Sequence, residues 1–207
     1  RGATKLTVEL LAADVRAVLD HVGSQQALLL GHSMGGVILQ SLALTSRAGI
    51  RGLILSGTWA RPNPYMSELF RARGEILKAS PREYASMLAF LAYPPDWLDQ
   101  HWTLYRTMLD NAPKLPDQQR IVGERITALL DFDKSGEIGC IELPTLIQGA
   151  EDDLIVPGYL QRDLHALVPG SQLAMLPNGG HFFPVSRPEA FIAQVDRFAR
   201  ECGLLDG

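Results

Sequence analysis

The stretch that decides the fold is Gly31-His32-Ser33-Met34-Gly35-Gly36. It follows a short apolar run, Ala27–Leu30, and it opens a helical stretch that extends from about Met34 to Arg47. The pattern Gly-x-Ser-x-Gly between a strand and a helix predicts a sharp, strained turn that projects the serine side chain above a sheet. Because strand and helix cross closely at such a turn, side chains at positions 31 and 35 would clash, which accounts for Gly31 and Gly35.

Ser33 is the candidate nucleophile of this turn. A serine at a helix N-terminus lies where the helix dipole and the unpaired backbone N–H groups favour a negatively charged oxygen. We expect the N–H of Met34, the residue after the serine, to be one donor to that oxyanion. The alternative is a glycine-rich turn in which the serine only caps the helix.

A base and an orienting acid for Ser33 are found later in the chain, in the order serine, acid, histidine. A predicted strand, Pro144–Gln148, leads into Gly149-Ala150-Glu151-Asp152-Asp153, and a second, Gln172–Leu176, leads into Pro177-Asn178-Gly179-Gly180-His181. Both loops follow strand C-termini, the edge where open α/β sheets hold their active sites. We therefore predict His181 as the base, and all three acidic residues of the first loop are candidates for the acid.

The other strand and helix patterns alternate along the chain. Apolar residues at helical spacing predict a first helix over Val8–Val22, and a strand-like run follows at Ile50–Ser56. Later helices are predicted at Gly158–Leu167 and from near Pro188 to Gly203. This order predicts an α/β fold, a mostly parallel sheet with helices on both faces. Four strands are few for a buried sheet, so we expect further strands ahead of Arg1.

The middle of the chain, residues 61–134, shows no strand pattern and many prolines. Four helices are predicted there, at Tyr65–Lys78, Pro81–Leu91, Asp96–Asn111 and Asp117–Leu130. We therefore predict a core formed by residues 1–60 and 135–207, with residues 61–134 inserted as a helical cap.

The composition limits the classes of partner. The chain has 207 residues, of which 46% are hydrophobic, and its net charge is −4; these values predict a globular protein and argue against nucleic acid as its main partner. No apolar run approaches the roughly 18 residues of a membrane span. Two cysteines, Cys140 and Cys202, are too few for a disulfide framework or a metal cluster, and they favour a cytoplasmic location. Motifs for phosphate-binding loops and zinc proteases are absent, so no metal is predicted.

Taken together, the chain resembles the α/β-hydrolase superfamily, with a serine nucleophile. The resemblance is carried by the turn at residues 31–36, by Leu-Pro-Thr-Leu-Ile-Gln-Gly-Ala-Glu-Asp at 143–152 and by Gly-Gly-His at 179–181. It implies a Ser33–His181 pair without a cofactor, and a second oxyanion donor from strands that precede this sequence. The family places its acid three residues after the glycine that ends the strand, which implies Asp152, with Asp153 and Glu151 as competitors.

The helical insertion makes the chain similar to carbon–carbon hydrolases, enol-lactonases and aminoacrylate hydrolases. This resemblance implies hydrolysis of a small ester, lactone or enol-lactone. The side chains expected near the substrate are Trp59, Phe90, Trp97, Ile155 and Phe182. Arg71 and Arg73 are expected to be exposed helix residues rather than ligands of a substrate carboxylate.

Other functions remain compatible with the same residues. A ligand-binding member of the superfamily would use the pocket with little or no turnover. Cofactor-free haloperoxidases and acyltransferases share the serine nucleophile. A homo-oligomer is also compatible with the sequence.

Overall fold

The computed structural model describes residues 5–204, which form a parallel sheet covered by helices. Its four strands lie in the order in which they occur along the chain, and every neighbouring pair is parallel. The strands are β1 (Ala27–His32), β2 (Ile50–Ser56), β3 (Thr145–Ala150) and β4 (Gln172–Leu176). Because all four run in one direction, their C-termini share one edge of the sheet.

Ten α-helices lie within the described residues. They are α1 (Val8–His21), α2 (Met34–Thr45), α3 (Pro64–Ala79), α4 (Pro81–Ala92), α5 (Pro95–Gln100), α6 (Trp102–Asp110), α7 (Pro116–Leu130), α8 (Gly158–Leu167), α9 (Phe183–Ser186) and α10 (Pro188–Glu201). A proline stands in the first turn of six of them, where its fixed φ suits the helix and its missing N–H costs no hydrogen bond. None of these helices combines the length and the apolar character needed to cross a membrane.

Alternation along β2 assigns the helices to two faces of the sheet. Leu53 and Leu55 are buried with side chains of α1, α2 and α8, whereas Ile54 is buried with Phe198 of α10. Successive strand residues point to opposite faces, so one apolar strand serves two layers of helices. The predicted α/β fold with a parallel sheet is confirmed.

Between β2 and β3 all the regular structure of the described chain is helical: α3 to α7 and then a 3-10 turn at Ile138–Cys140. The predicted helix at Asp96–Asn111 is two helices, α5 and α6, because the backbone at His101 leaves the helical region (φ −116°, ψ 38°). This helical segment packs on the sheet edge through one apolar cluster, which includes Met66 and Phe70 of α3 together with Val37 of α2 and Val156. The segment therefore lies over the strand C-termini.

The turn from β1 into α2 is tight at two glycines. A Cβ at Gly31 would overlap the backbone of Gly35, as the sequence predicts. A Cβ at Gly35 itself would meet no atom, whereas one at Gly36 would lie 2.6 Å from the Cβ of Thr58. The expectation of crowding at position 35 is therefore corrected, because α2 turns position 36 toward the loop after β2.

We expect Gly36→Ala to destabilise the protein and Gly35→Ala, its matched control, to leave stability within about 1 kcal/mol. The methyl group at position 36 must displace Thr58, and overpacking of this kind costs about 1–3 kcal/mol. Urea unfolding of both variants measures the difference. An equal loss in the two variants would contradict the packing of α2 against the Thr58 loop.

Candidate active site

Ser33 lies in a strained turn directly after β1. Its φ is 52° and its ψ is −116°, and it is the one non-glycine residue with positive φ between residues 5 and 204. Its N–H donates to the carbonyl of Ser56 at 2.8 Å, which ties the turn to the end of β2. The hydroxyl makes no capping hydrogen bond to α2. The strained backbone therefore supports a serine side chain that projects from the turn. The alternative role, a serine that caps α2, would need a hydrogen bond that Ser33 does not make.

Met34 is the first residue of α2. The N–H groups of a helix's first turn have no partner within the helix, and the dipole makes that end positive. The N–H of Met34 is therefore among the groups available to an oxygen bound beside Ser33. Its side chain is half-buried against the apolar cluster shared with the helical segment.

The imidazole of His181 is bonded to the carboxylate of Asp153. The distance between His181 Nδ1 and Asp153 Oδ2 is 2.8 Å, and the two residues are 3% and 2% exposed. The other oxygen, Oδ1, accepts the backbone N–H groups of Ile155 and Val156, each at 2.8 Å. With the carboxylate accepting at both oxygens, Nδ1 is the donor, so Nε2 is the nitrogen free to take up a proton.

Asp152, the acid implied by the family spacing, contacts the backbone of the histidine loop rather than the ring. Its oxygens accept the N–H groups of Gly179 at 3.1 Å and Gly180 at 2.8 Å. Neighbouring side chains in the turn after β3 point in different directions. Asp153 therefore reaches the His181 ring, and Asp152, one residue earlier, reaches the backbone instead. Glu151 forms a surface ion pair with Arg162. The prediction of Asp152 as the partner of His181 is thus corrected to Asp153.

The sequence alone does not separate Asp153 from Asp152; the structure does so through the turn that Asp153 closes. An aspartate often accepts the backbone N–H groups two and three residues on, closing a turn. Here Asp153 does so with Ile155 and Val156, immediately before α8.

The loop that carries His181 is also fixed to the helical segment. Gly180 has a φ of 66°, and a Cβ there would overlap the carbonyl of Ala92 at the end of α4. The N–H of Phe182 donates to the same carbonyl at 2.9 Å. Glycine is therefore required at position 180 both for its conformation and for this close approach.

His32 is a second histidine at the site. Its Nδ1 lies 3.0 Å from the hydroxyl of Ser56, its register partner in β2. Its ring centroid is 4.9 Å from that of His181 and 5.5 Å from that of Phe183. Burial, and in second place the nearby His181, lower the pKa of His32 to about 3. His32 is therefore neutral at physiological pH.

The aromatic residues predicted near a substrate lie in different places. Phe182 is half-buried with its ring centroid 5.4 Å from that of His181, and Tyr93 connects it to Trp97 by centroid distances of 5.4 and 4.9 Å. Phe90 is 54% exposed on the outside of the helical segment.

Two of the predicted substrate residues belong to the core. Trp59 is 0% exposed within the apolar cluster of the helical segment. The side chain of Ile155 is also buried there, and its backbone N–H bonds Asp153. Neither side chain is therefore exposed where a substrate could contact it.

Arg73 departs from the expectation of an exposed helix residue. It is 5% exposed, between the rings of Phe70 and Tyr84, and it donates to the Tyr84 hydroxyl at 3.3 Å. Arg71 is exposed and paired with a glutamate one turn earlier. Tyr84 precedes Ala92 by eight helical residues, about 12 Å along α4. Arg73 therefore packs α3 against α4 at a distance from the His181 loop.

Neither of the two cysteines is among the candidate residues Ser33, His181 and Asp153. Cys140 is an exposed free thiol and Cys202 is a half-buried one. Across residues 5–204, no three His, Cys, Asp or Glu side chains are grouped so as to hold a metal ion. Ser33, His181 and the carboxylate of Asp153 are the candidate reactive groups that the strand ends provide.

Comparison with known proteins agrees with this fold. Residues 2–194 match the model of the alpha/beta hydrolase family. The putative carbamate hydrolase RutD of Stutzerimonas stutzeri (strain A1501) is 32% identical over 202 residues, which cover 95% of this chain and 75% of the relative. RutD of Caulobacter sp. (strain K31), another putative carbamate hydrolase, is 31% identical over 93% of this chain and 72% of its own length.

Solved structures show the same fold. An alpha/beta hydrolase from a Medee basin deep-sea metagenome library superposes with a TM-score of 0.87 at 21% identity, covering 95% of this chain and 73% of the other. The enol-lactonase from Burkholderia xenovorans LB400 superposes with a TM-score of 0.83 at 22% identity, covering 96% and 75%. The chain belongs to the alpha/beta hydrolase family, and by these relationships it is a hydrolase.

Proposed function

We propose that this protein is a serine hydrolase that cleaves a small acyl compound through Ser33, His181 and Asp153. The observation that carries the proposal is that a strained serine and a buried His–Asp pair both follow strand C-termini. Ser33 occupies a strained turn at the end of β1, and the His181–Asp153 pair is assembled from the loops after β4 and β3. Because the strands are parallel, all three loops meet at one edge of the sheet.

In the first half of the reaction, Nε2 of His181 takes the proton of the Ser33 hydroxyl as its oxygen attacks the substrate carbonyl. The carbonyl oxygen gains negative charge, which the N–H of Met34 stabilises by a hydrogen bond. Asp153 stabilises the imidazolium that forms and keeps the proton on Nδ1. His181 then donates the proton from Nε2 to the leaving group, which leaves an acyl group on Ser33.

In the second half, His181 removes a proton from water, which attacks the acyl carbonyl. The tetrahedral intermediate collapses, Ser33 recovers its proton from His181 and the acid product leaves. Every proton moves through Nε2, so the cycle needs no cofactor.

The substrate class follows from the acyl chemistry and from the half-buried apolar residues near the site. The names of the relatives add carbamates to the esters, lactones and enol-lactones expected from the sequence, and all have a carbonyl open to attack. We propose that residues 61–134 form a cap on a core of residues 1–60 and 135–207. Phe182 and Met34 would contact the apolar part of the substrate, with Tyr93 and Trp97 behind Phe182.

The alternatives differ in one measurable property. A ligand-binding protein would bind the same acyl compounds without turnover, and a haloperoxidase or acyltransferase would transfer the acyl group to an acceptor other than water. The strained Ser33 turn favours a nucleophile over a binding residue. The cytoplasmic location and the homo-oligomer stay predictions.

We expect a fluorophosphonate probe to add once to the intact protein and not to Ser33→Ala, because only an activated serine attacks phosphorus readily. Intact mass spectrometry before and after treatment measures the adduct. Ser171→Ala is the matched control, since that hydroxyl bonds His165 directly before β4, at the end of the strands opposite to Ser33, and its loss should leave the labelling unchanged. An unlabelled wild-type protein would contradict the proposed nucleophile and favour the ligand-binding alternative.

Substitution of the two neighbouring aspartates should lower kcat to different extents. We expect Asp153→Asn to lower kcat for p-nitrophenyl acetate by about 10⁴-fold, because an amide at that position cannot hold the imidazole in the same tautomer. Asp152→Asn should lower kcat by less than about 10²-fold and also lower the unfolding midpoint, because it loosens the Gly179–Gly180 backbone. Equal losses of kcat, or the reverse order, would contradict Asp153 as the acid.

A further inference from the structure

We infer that His32 is a positioning residue that holds the imidazole plane of His181 ready for proton transfer. The inference rests on the proposed function of His181 as the base. It concerns a residue that the Ser33–His181–Asp153 chemistry does not use directly.

The base needs a second contact besides its hydrogen bond. The bond from His181 Nδ1 to Asp153 fixes one point of the ring and leaves rotation about that bond possible. The ring of His32 lies across it at a centroid distance of 4.9 Å and an interplanar angle of 45°. Together, this hydrogen bond and the ring contacts with His32 and with Phe182 (5.4 Å) limit where Nε2 can point.

His32 is itself held firmly. Its Nδ1 is bonded to the buried hydroxyl of Ser56, and the ring of Phe183 meets it edge to face. Its backbone ends β1, paired in register with β2. His32 is therefore fixed to the sheet, and its contact restricts the movement of His181 in the loop after β4.

The position of the His32 ring depends on one glycine. Gly57, with a φ of 53°, follows β2, and a Cβ there would lie 2.8 Å from Cε1 of His32 and 3.5 Å from Cε1 of His181. The first distance is a clash and the second an ordinary van der Waals contact, so the glycine at position 57 makes room for the ring of His32 beside His181.

The charge state of His32 suits this role. His181 becomes an imidazolium during the reaction, and a second cation at this distance would oppose that step. Burial keeps His32 uncharged. His32 also directly precedes Ser33, so one short segment of β1 supports both the nucleophile and the base.

The experiment compares four variants by kcat and KM for p-nitrophenyl acetate and by the low-field proton NMR signal of the His181 Nδ1–H. His32→Ala removes the ring, His32→Phe keeps a neutral ring, and Ser56→Ala removes only the tether. His165→Ala is the matched control, because His165 bonds the hydroxyl of Ser171 at 2.8 Å in the same manner, away from the site.

We expect His32→Ala to lower kcat by about 10- to 100-fold with little change in KM, because small misplacements of a reacting group have effects of this size. The Nδ1–H signal should broaden or shift. His32→Phe should recover most of the activity and the signal, Ser56→Ala should show a smaller loss than His32→Ala, and His165→Ala should match the wild type.

The inference is overturned if His32→Ala keeps both the wild-type kcat and an unchanged Nδ1–H signal. It is also overturned if His32→Phe is as impaired as His32→Ala. Should His32→Ala fail to fold, Ser56→Ala decides by the same two measurements. Failure of the proposed function is distinguishable, because it shows in the fluorophosphonate labelling of Ser33, whereas the NMR signal reports on the ring without turnover.

Discussion

The hydrogen bond between Asp153 and His181 is the interaction on which the site depends. It joins two loops that are 28 residues apart, and both side chains are withdrawn from water. A buried carboxylate is tolerated only when its oxygens are satisfied, and the N–H groups of Ile155 and Val156 complete that requirement. The turn before α8 is therefore shaped around the carboxylate, and the position of the imidazole follows from it.

A second set of contacts fixes the backbone that carries the imidazole. Asp152 accepts the N–H groups of Gly179 and Gly180, while the N–H of Phe182 donates to the carbonyl of Ala92 in the helical segment. The histidine loop is thus held from the sheet side by a carboxylate and from the helical side by a carbonyl. Any movement of α4 would therefore shift the backbone next to His181. Through this contact the proposed cap is coupled to the proposed base.

The electrostatic arrangement has a common principle. The side chains that contact the His181 ring are one hydrogen-bond acceptor and two neutral rings. Asp153 lies at Nδ1, while His32 and Phe182 present neutral rings. The imidazolium of the proposed mechanism is accordingly stabilised by Asp153, and the adjacent imidazole of His32 is uncharged. Arg73, the buried cation of α3, contacts Tyr84, which lies about 12 Å along α4 from Ala92.

Much of this protein was determined by its sequence. The apolar periodicities placed the strands and most helices to within a few residues, and the glycines around Ser33 predicted the strained turn, because these features depend on local backbone preferences. Only the tertiary structure decided what depends on the direction of a side chain. It selected Asp153 over Asp152, since neighbouring residues of a turn diverge, and it moved the tight contact from Gly35 to Gly36. It placed His32 against His181, since the register of β1 on β2 involves residues far apart in the chain. It buried Arg73, because the pairing of α3 with α4 and not the composition of α3 sets which face meets solvent.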